Sequence, residues 1–117
     1  MVGYTGRLRR EAMNREKLSK MMGKRVRLRP IPRRIDQDGT ELPPVDDTWF
    51  VDEASRTALT LENQRTVPPH VLRLGTDHVR EYQTDLGRTD GVLVLKSQVI
   101  MTRSRVIVEP LAALAKG

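Results

Sequence analysis

The chain has 117 residues, with 21 Lys and Arg against 15 Asp and Glu, and its formal net charge is +6. This length suits one small domain with a single core, and the absence of Cys excludes disulfides, thiolate metal sites and a cysteine nucleophile. No apolar run approaches the roughly 20 residues that a bilayer requires and no signal segment follows the first Met, so we expect a cytoplasmic protein without a membrane partner.

The charge is unevenly distributed along the chain. Residues 1–34 hold 12 basic residues against Glu11 and Glu16, a balance of +10, whereas the remaining residues have a balance of −4. Such asymmetry indicates an anionic partner. Two alternatives stay open: the basic segment contacts the acidic body of its own chain, or that of a second copy in a homo-oligomer.

The first predicted element is a basic helix from about Gly6 to Met22. Thr5 suits its N-cap, and Gly23 stands where a left-handed C-cap would end it. Its apolar residues form only a broken stripe, which is typical of a surface helix that packs lightly. Residues 1–23 are therefore predicted to form an N-terminal basic helix.

From Lys24 the apolar residues alternate with arginines, which predicts a strand with one wet face. Val26 and Leu28 point to one side, while the other side carries three arginines about 7 Å apart. Those arginines are Arg25, Arg27 and Arg29. Prolines then interrupt the strand, and the aperiodic stretch 30–47 predicts one long structured loop of the kind that often carries function.

Short apolar segments at 48–51, 57–62, 71–74, 91–101 and 105–108 follow, and each predicts a strand. A hairpin is expected at 102–105, and residues 111–117 form a short tail. With only four aromatic residues in the chain, the core must be aliphatic, and its buried face could be shifted by one residue. The predicted core consists of Val26, Leu28, Trp49, Val51, Leu59, Leu61, Leu72, Leu74, Val94, Val99 and Val108.

Five or six short strands with a long loop after the first favour a closed or nearly closed barrel. The order Gly-Lys-Arg-Val-Arg-Leu-Arg, proline-bearing loop, Trp-Phe-Val and hairpin-linked strands resembles the SH3-like small β-barrels over roughly residues 23–110. The barrel domain is expected at residues 24–110. It also resembles short uncharacterised bacterial proteins of the same layout. The expected fold is mainly β, an SH3-like barrel of five or six strands with an N-terminal basic α-helix.

The same resemblance implies a ligand site. In SH3-like barrels the loop after the first strand commonly forms one wall of the site, which here would be residues 29–47 together with Trp49. This loop contains no aromatic residue, whereas grooves that bind proline-rich peptides are lined by aromatic side chains. Binding of proline peptides is therefore disfavoured.

The chain lacks a recognisable catalytic or metal-binding constellation. His78 stands beside Asp77 and Glu81, but this spacing is not that of a metal-binding helix. We expect Asp77 to cap a turn and Glu81 to pair with Arg80 or Arg73. The sequence predicts no enzyme activity, no metal and no cofactor.

The basic segment predicts a non-enzymatic binding module that holds a polyanion, the backbone of DNA or RNA, with little sequence preference. Tyr4 is the only aromatic residue among the first 34, so a stacking platform for bases is not expected. The alternative is an adaptor or subunit that docks on an acidic partner protein. The candidate binding residues are Arg25, Arg27, Arg29, Arg33, Arg34, Lys17, Lys20, Lys24 and Trp49.

Overall fold

Two β-sheets share one core, and one short helix packs against it. The computed structural model describes residues 8–66, 68–85 and 90–111. In chain order the elements are β1 (Leu8–Ala12), α1 (Arg15–Ser19), β2 (Arg25–Arg29), β3 (Arg33–Ile35), β4 (Glu41–Leu42), β5 (Trp49–Ala54), β6 (Ala58–Asn63), β7 (His70–Gly75), β8 (Val79–Asp85), β9 (Gly91–Leu95), β10 (Ser97–Met101) and β11 (Val106–Pro110).

The sheets are open. The larger has the order β1-β8-β9-β2-β5-β6-β7 and the smaller the order β11-β10-β3-β4. Neighbouring strands are antiparallel except for the parallel pairs β2–β9 and β10–β3. The mainly β fold is thus confirmed, but a closed barrel of five or six strands is wrong, because the edge strands β1 and β7 do not pair and β3 joins a second sheet.

The predicted basic helix over residues 6–22 is wrong within the described part of the chain, and its Thr5 cap lies outside that part. Residues Leu8–Ala12 form an edge strand that pairs with β8. Helix α1 has only five residues. It begins because the Asn14 side chain accepts a hydrogen bond of 2.9 Å from the Lys17 N–H, which is the usual action of an Asn N-cap. Pairing with a distant strand here overrides local helix propensity.

A tight turn leads from α1 into β2. The Lys24 N–H closes it by donating to the Met21 carbonyl at 3.1 Å, and Gly23 adopts a φ of +85°, which costs glycine little. The left-handed Gly23 is therefore present, but it serves this turn and not a helix end. Its N–H donates to the Val51 carbonyl at 2.9 Å, which places β2 beside β5.

Strand β2 follows the predicted alternation. Val26 and Leu28 are fully buried, and the three arginines lie on the opposite face. The stretch 30–47 is not one loop, because it contains the short hairpin β3–β4. That hairpin turns at Gly39, whose φ is +89°.

The core prediction is confirmed for all residues except Val94 and Val108, which are only half-buried. In β9 the buried face carries Leu93 and Leu95, one position away from Val94. The predicted run 91–101 is divided at Lys96 into two strands of different sheets. The hairpin at 102–105 is present, and strand β8 was missed by sequence reasoning.

Helix α1 is far shorter than a bilayer crossing, and none of the described residues form a helix that is long and apolar enough to span a membrane.

Candidate anion-binding surfaces

The arginines of β2 face away from the core, where two of them bind carboxylates of the same chain. Arg29 donates from both terminal nitrogens to Asp46, and each hydrogen bond measures 2.9 Å. Arg27 donates to the same carboxylate at 3.3 Å, and its Nε lies 3.4 Å from Asp90 Oδ2. Arg27 Nε makes no well-aligned hydrogen bond, so its contact with Asp90 is an ion pair only. Carboxylates of the same chain thus neutralise part of the positive charge of the β2 arginines.

The ion pairs keep Asp46 charged. The hydrogen bond from Arg29 lowers the pKa of the Asp46 carboxyl, the positive charges of Arg29 and Arg27 add to this, and partial burial opposes it. Asp46 lies on the segment that connects β4 to β5. Its contacts therefore fasten this connection to the outer face of the larger sheet.

The two arginines of β3 also bind within the chain. Arg33 forms a two-pronged ion pair with Glu41, with hydrogen bonds of 2.9 and 2.6 Å across the β3–β4 hairpin. This contact raises the pKa of the Arg33 guanidinium and lowers that of the Glu41 carboxyl. Arg34 donates to the Pro43 carbonyl at 3.0 Å. Both arginines thus stabilise the short hairpin.

Trp49 belongs to the core and not to a binding surface. Its side chain is fully buried, and it packs in the same cluster as Val26 and Leu28. A partner at the surface cannot reach it, so Trp49 is removed from the candidate binding residues.

The three predicted lysines come together around a small cavity of about 250 Å³, which is also lined by Glu11, Met13, Met21 and Tyr82. Lys17 Nζ lies 2.5 Å from Glu11 Oε1. That hydrogen bond and the charge of Lys17 lower the pKa of Glu11, with smaller contributions from Arg9 and Lys24. One carboxylate therefore faces several cations.

Lys20, Lys24 and Arg25 are exposed, and their side chains make no hydrogen bond or ion pair with any other described residue. We call Lys17, Lys20, Lys24 and the adjoining Arg25 the lysine patch; Arg25 does not line the lysine cavity and borders a separate one with Thr48, Phe50 and Glu62. Tyr82 lines the cavity as a neutral phenol, because burial and the nearby Glu11 and Asp90 charges raise its pKa. The patch can therefore attract anions without an internal carboxylate for each cation.

A second basic surface was not predicted. The arginine groove, as we call it, is a cavity of about 490 Å³ whose lining includes Arg34, Arg65 and Arg103. Part of its wall comes from the segment 34–47, the loop to which the SH3-like resemblance assigned a ligand site. Arg65, Arg103 and Arg105 were visible in sequence as basic residues in predicted turns, but nothing in the sequence showed that these turns meet.

The histidines lie apart from any metal-binding cluster: the structure brings together no group of three or more His, Asp or Glu side chains among the residues it describes. Glu81 pairs with Arg10 at 3.0 Å and not with Arg80 or Arg73. Asp77 lies in a 3-10 turn (Thr76–His78) that has no side-chain cap, so its expected capping role is wrong.

Comparisons with known proteins give no relatives for this arrangement: no family model matches the chain, and neither the curated proteins nor the solved structures include a significant match.

Proposed function

We propose that this protein is a non-enzymatic module that holds a polyanion, the phosphate backbone of DNA or RNA, through the lysine patch. The observation that carries the proposal is that some basic residues are bound by carboxylates of the same chain and others are not. Arg27, Arg29 and Arg33 are bound by carboxylates of the same chain, whereas Lys20 and Lys24 are exposed and unengaged within the described chain. The expected compartment is the cytoplasm.

The composition of the patch supports contact with phosphates rather than with bases. Lysine ammonium groups act as mobile point charges, and phosphate contacts position a protein on a nucleic acid without reading its sequence. Tyr82 is the only aromatic residue that lines the lysine cavity, and it is half-buried with its ring against Gly91. We therefore expect similar affinity for duplexes of different sequence.

The test is a change of Lys20, Lys24 and Arg25 to Gln. Lys17 is not counted because Glu11 binds it. If the other three patch cations each neutralise one phosphate, the logarithm of affinity should fall against log salt with a slope of about −2.7 on duplex DNA, and of about 0 in the variant. Fluorescence anisotropy with a short labelled duplex, between about 50 and 200 mM salt, measures both slopes.

The matched control changes Arg56, Arg73 and Lys96 to Gln. These three side chains are exposed, none of them lines the lysine cavity, and their loss removes the same net charge. We expect the control to keep most of the affinity and of the slope. A flat salt response of the unchanged protein, or equal losses in both variants, would contradict the proposal.

The alternative function is that of an adaptor that docks on an acidic partner protein, and the arginine groove is the observation that favours it. A pull-down from the native cell with and without nuclease separates the two functions: nuclease releases a nucleic-acid ligand but leaves a protein partner bound. We propose the likeness of residues 23–110 to SH3-like barrels only for the order of the elements along the chain, because the sheets of this protein are open.

A further inference from the structure

The arginine groove is built by three separate parts of the fold. Arg34 comes from β3, Arg65 follows β6, and Arg103 comes from the hairpin between β10 and β11. The cavity continues into a shallower depression of about 850 Å³ that Arg105 also lines. The cavity and the depression share Asp36, Thr66, His70, Thr102 and Arg103, so they form one elongated groove.

The carboxylate of Asp47 fixes the position of the Arg65 side chain. Its Nε donates to Asp47 Oδ1 at 2.6 Å, and the Asn63 amide donates to the other carboxylate oxygen at 2.9 Å. The Asp47 side chain is only 8% exposed, whereas that of Arg65 is 67% exposed. Asp47 is therefore occupied as an anchor, and the two terminal nitrogens of Arg65 keep their donors for a ligand.

The other arginines of the groove also have N–H donors that make no hydrogen bond within the described chain. Arg34 uses one terminal nitrogen on the Pro43 carbonyl, and Arg103 uses one on the Gln37 side chain at 3.2 Å. The side chain of Arg105 binds no other described residue. Because a guanidinium has five N–H donors in a planar fork, each of these arginines can still bind a carboxylate, and two-pronged binding is the strong form of that contact.

The positive charge of the groove and its apolar lining restrict the kind of ligand that can bind there. Four guanidinium groups face two carboxylates, of which Asp47 is already engaged and Asp36 lies exposed at the rim. The apolar part of the lining is aliphatic: Ile35, Leu42, Val45 and Met101. The only aromatic ring in the lining is that of His70, so a run of unpaired bases would lack the series of aromatic partners on which successive bases usually stack.

From these features we infer that the arginine groove binds an extended segment of a partner protein in which acidic residues alternate with aliphatic ones. Successive side chains of an extended peptide point to opposite sides. Such a segment can therefore direct its aliphatic side chains to the floor while its carboxylates meet the arginines at the rim. A convex nucleic-acid duplex cannot present its phosphates to a concave aliphatic floor.

The test uses a fluorescently labelled peptide of alternating Glu and Leu and the double variant Arg103→Gln/Arg105→Gln. Both positions are exposed on a hairpin, so the variant should fold. We expect the affinity of the peptide to fall about tenfold or more, which corresponds to the loss of one or two charge-assisted hydrogen bonds. The control Arg56→Gln/Arg73→Gln removes the same charge elsewhere and should change the affinity less than about twofold.

Two further probes complete the test. A peptide of Glu alone should bind more weakly than the alternating peptide because it cannot cover the aliphatic floor, and a Lys–Leu peptide should not bind. Equal affinity of the double variant and the control would overturn the inference. So would a double variant that binds the peptide normally but loses duplex DNA, since the groove would then serve nucleic acid. The lysine-patch variant should bind the peptide normally, so this inference and the proposed function can fail independently.

Discussion

At the scale of single residues, Gly91 shows how closely the neighbouring strands β8 and β9 of the larger sheet are packed. Gly91 is buried at the start of β9, and the ring of Tyr82 from β8 lies over it. A methyl group added at Gly91 would place its carbon 2.5 Å from Tyr82 Cζ. The strand tolerates only glycine here because the neighbouring ring fills the space of a side chain.

We therefore predict that Gly91→Ala lowers the free energy of unfolding by about 1 to 3 kcal/mol, the usual cost of overpacking a core. Urea denaturation measures the change. The control is the same substitution in a Tyr82→Ala background, where the ring is absent and the added methyl group should cost little. Equal costs in the two backgrounds would show that the ring is not the obstacle.

At the scale of elements, the connection between β4 and β5 is fastened by Asp46. The carboxylate binds Arg29 through two hydrogen bonds and also contacts Arg27, and these contacts lower its pKa. The ionised carboxylate therefore stabilises the folded state. This contribution is fully present above the ordinary pKa of an Asp side chain and is lost as the pH falls through the lowered value.

We predict that Asp46→Asn destabilises the protein at neutral pH by about 1 kcal/mol or less, because the pair is partly open to solvent. The difference from the unchanged protein should begin to shrink as the pH falls below about 4, and it should vanish once the pH is below the lowered pKa of Asp46. Urea denaturation across a pH series measures it, with Asp52→Asn as a control at an exposed position of β5. A difference that persists at low pH would contradict the charge-based explanation.

Some of the strands and helices could be predicted from the sequence, and others could not. The buried face of β2 follows from the alternation of Val26 and Leu28 with arginines, which is a local signal. Strand β1 leaves no such signal, because it is specified by pairing with β8; Arg10 and its partner Glu81 are 71 residues apart. Helix α1 is short for a related reason: Asn14 starts a new element where a continuous helix was predicted.

The candidate sites also differ in how far each could be predicted from the sequence. The lysines were found because positive charge is visible in sequence, and their exposure agrees with a surface role. That Asp46 neutralises Arg29 could not be predicted, since the connection that carries Asp46 has no periodicity to place it. The arginine groove was missed because it exists only where two turns and a hairpin meet.

At the scale of the whole molecule, the charge of the first 34 residues is partly neutralised by the rest of the chain. Arg10 pairs with Glu81, and Arg33 pairs with Glu41. Asp46 pairs with Arg27 and Arg29, and Asp90 pairs with Arg27. Contact between the basic segment and the acidic body of its own chain, one of the alternatives from the sequence, therefore occurs in the fold.

This internal pairing has a consequence for self-association. A second copy could use its own basic segment to bind the acidic body, but among the described residues five carboxylates of that body are already paired within the chain. Exposed ion pairs between copies would also be screened at moderate salt. We therefore predict that the protein is a monomer at both about 50 mM and about 500 mM salt.

Light scattering coupled to size-exclusion chromatography measures the mass at both salt concentrations, and the lysine-patch variant serves as a comparison with fewer positive charges. We expect one chain mass in every case. A dimer that forms only at low salt and is lost in the lysine-patch variant would contradict the prediction. It would mean that the unengaged lysines bind the acidic surface of a neighbouring copy, and that the anion they recognise is this protein itself.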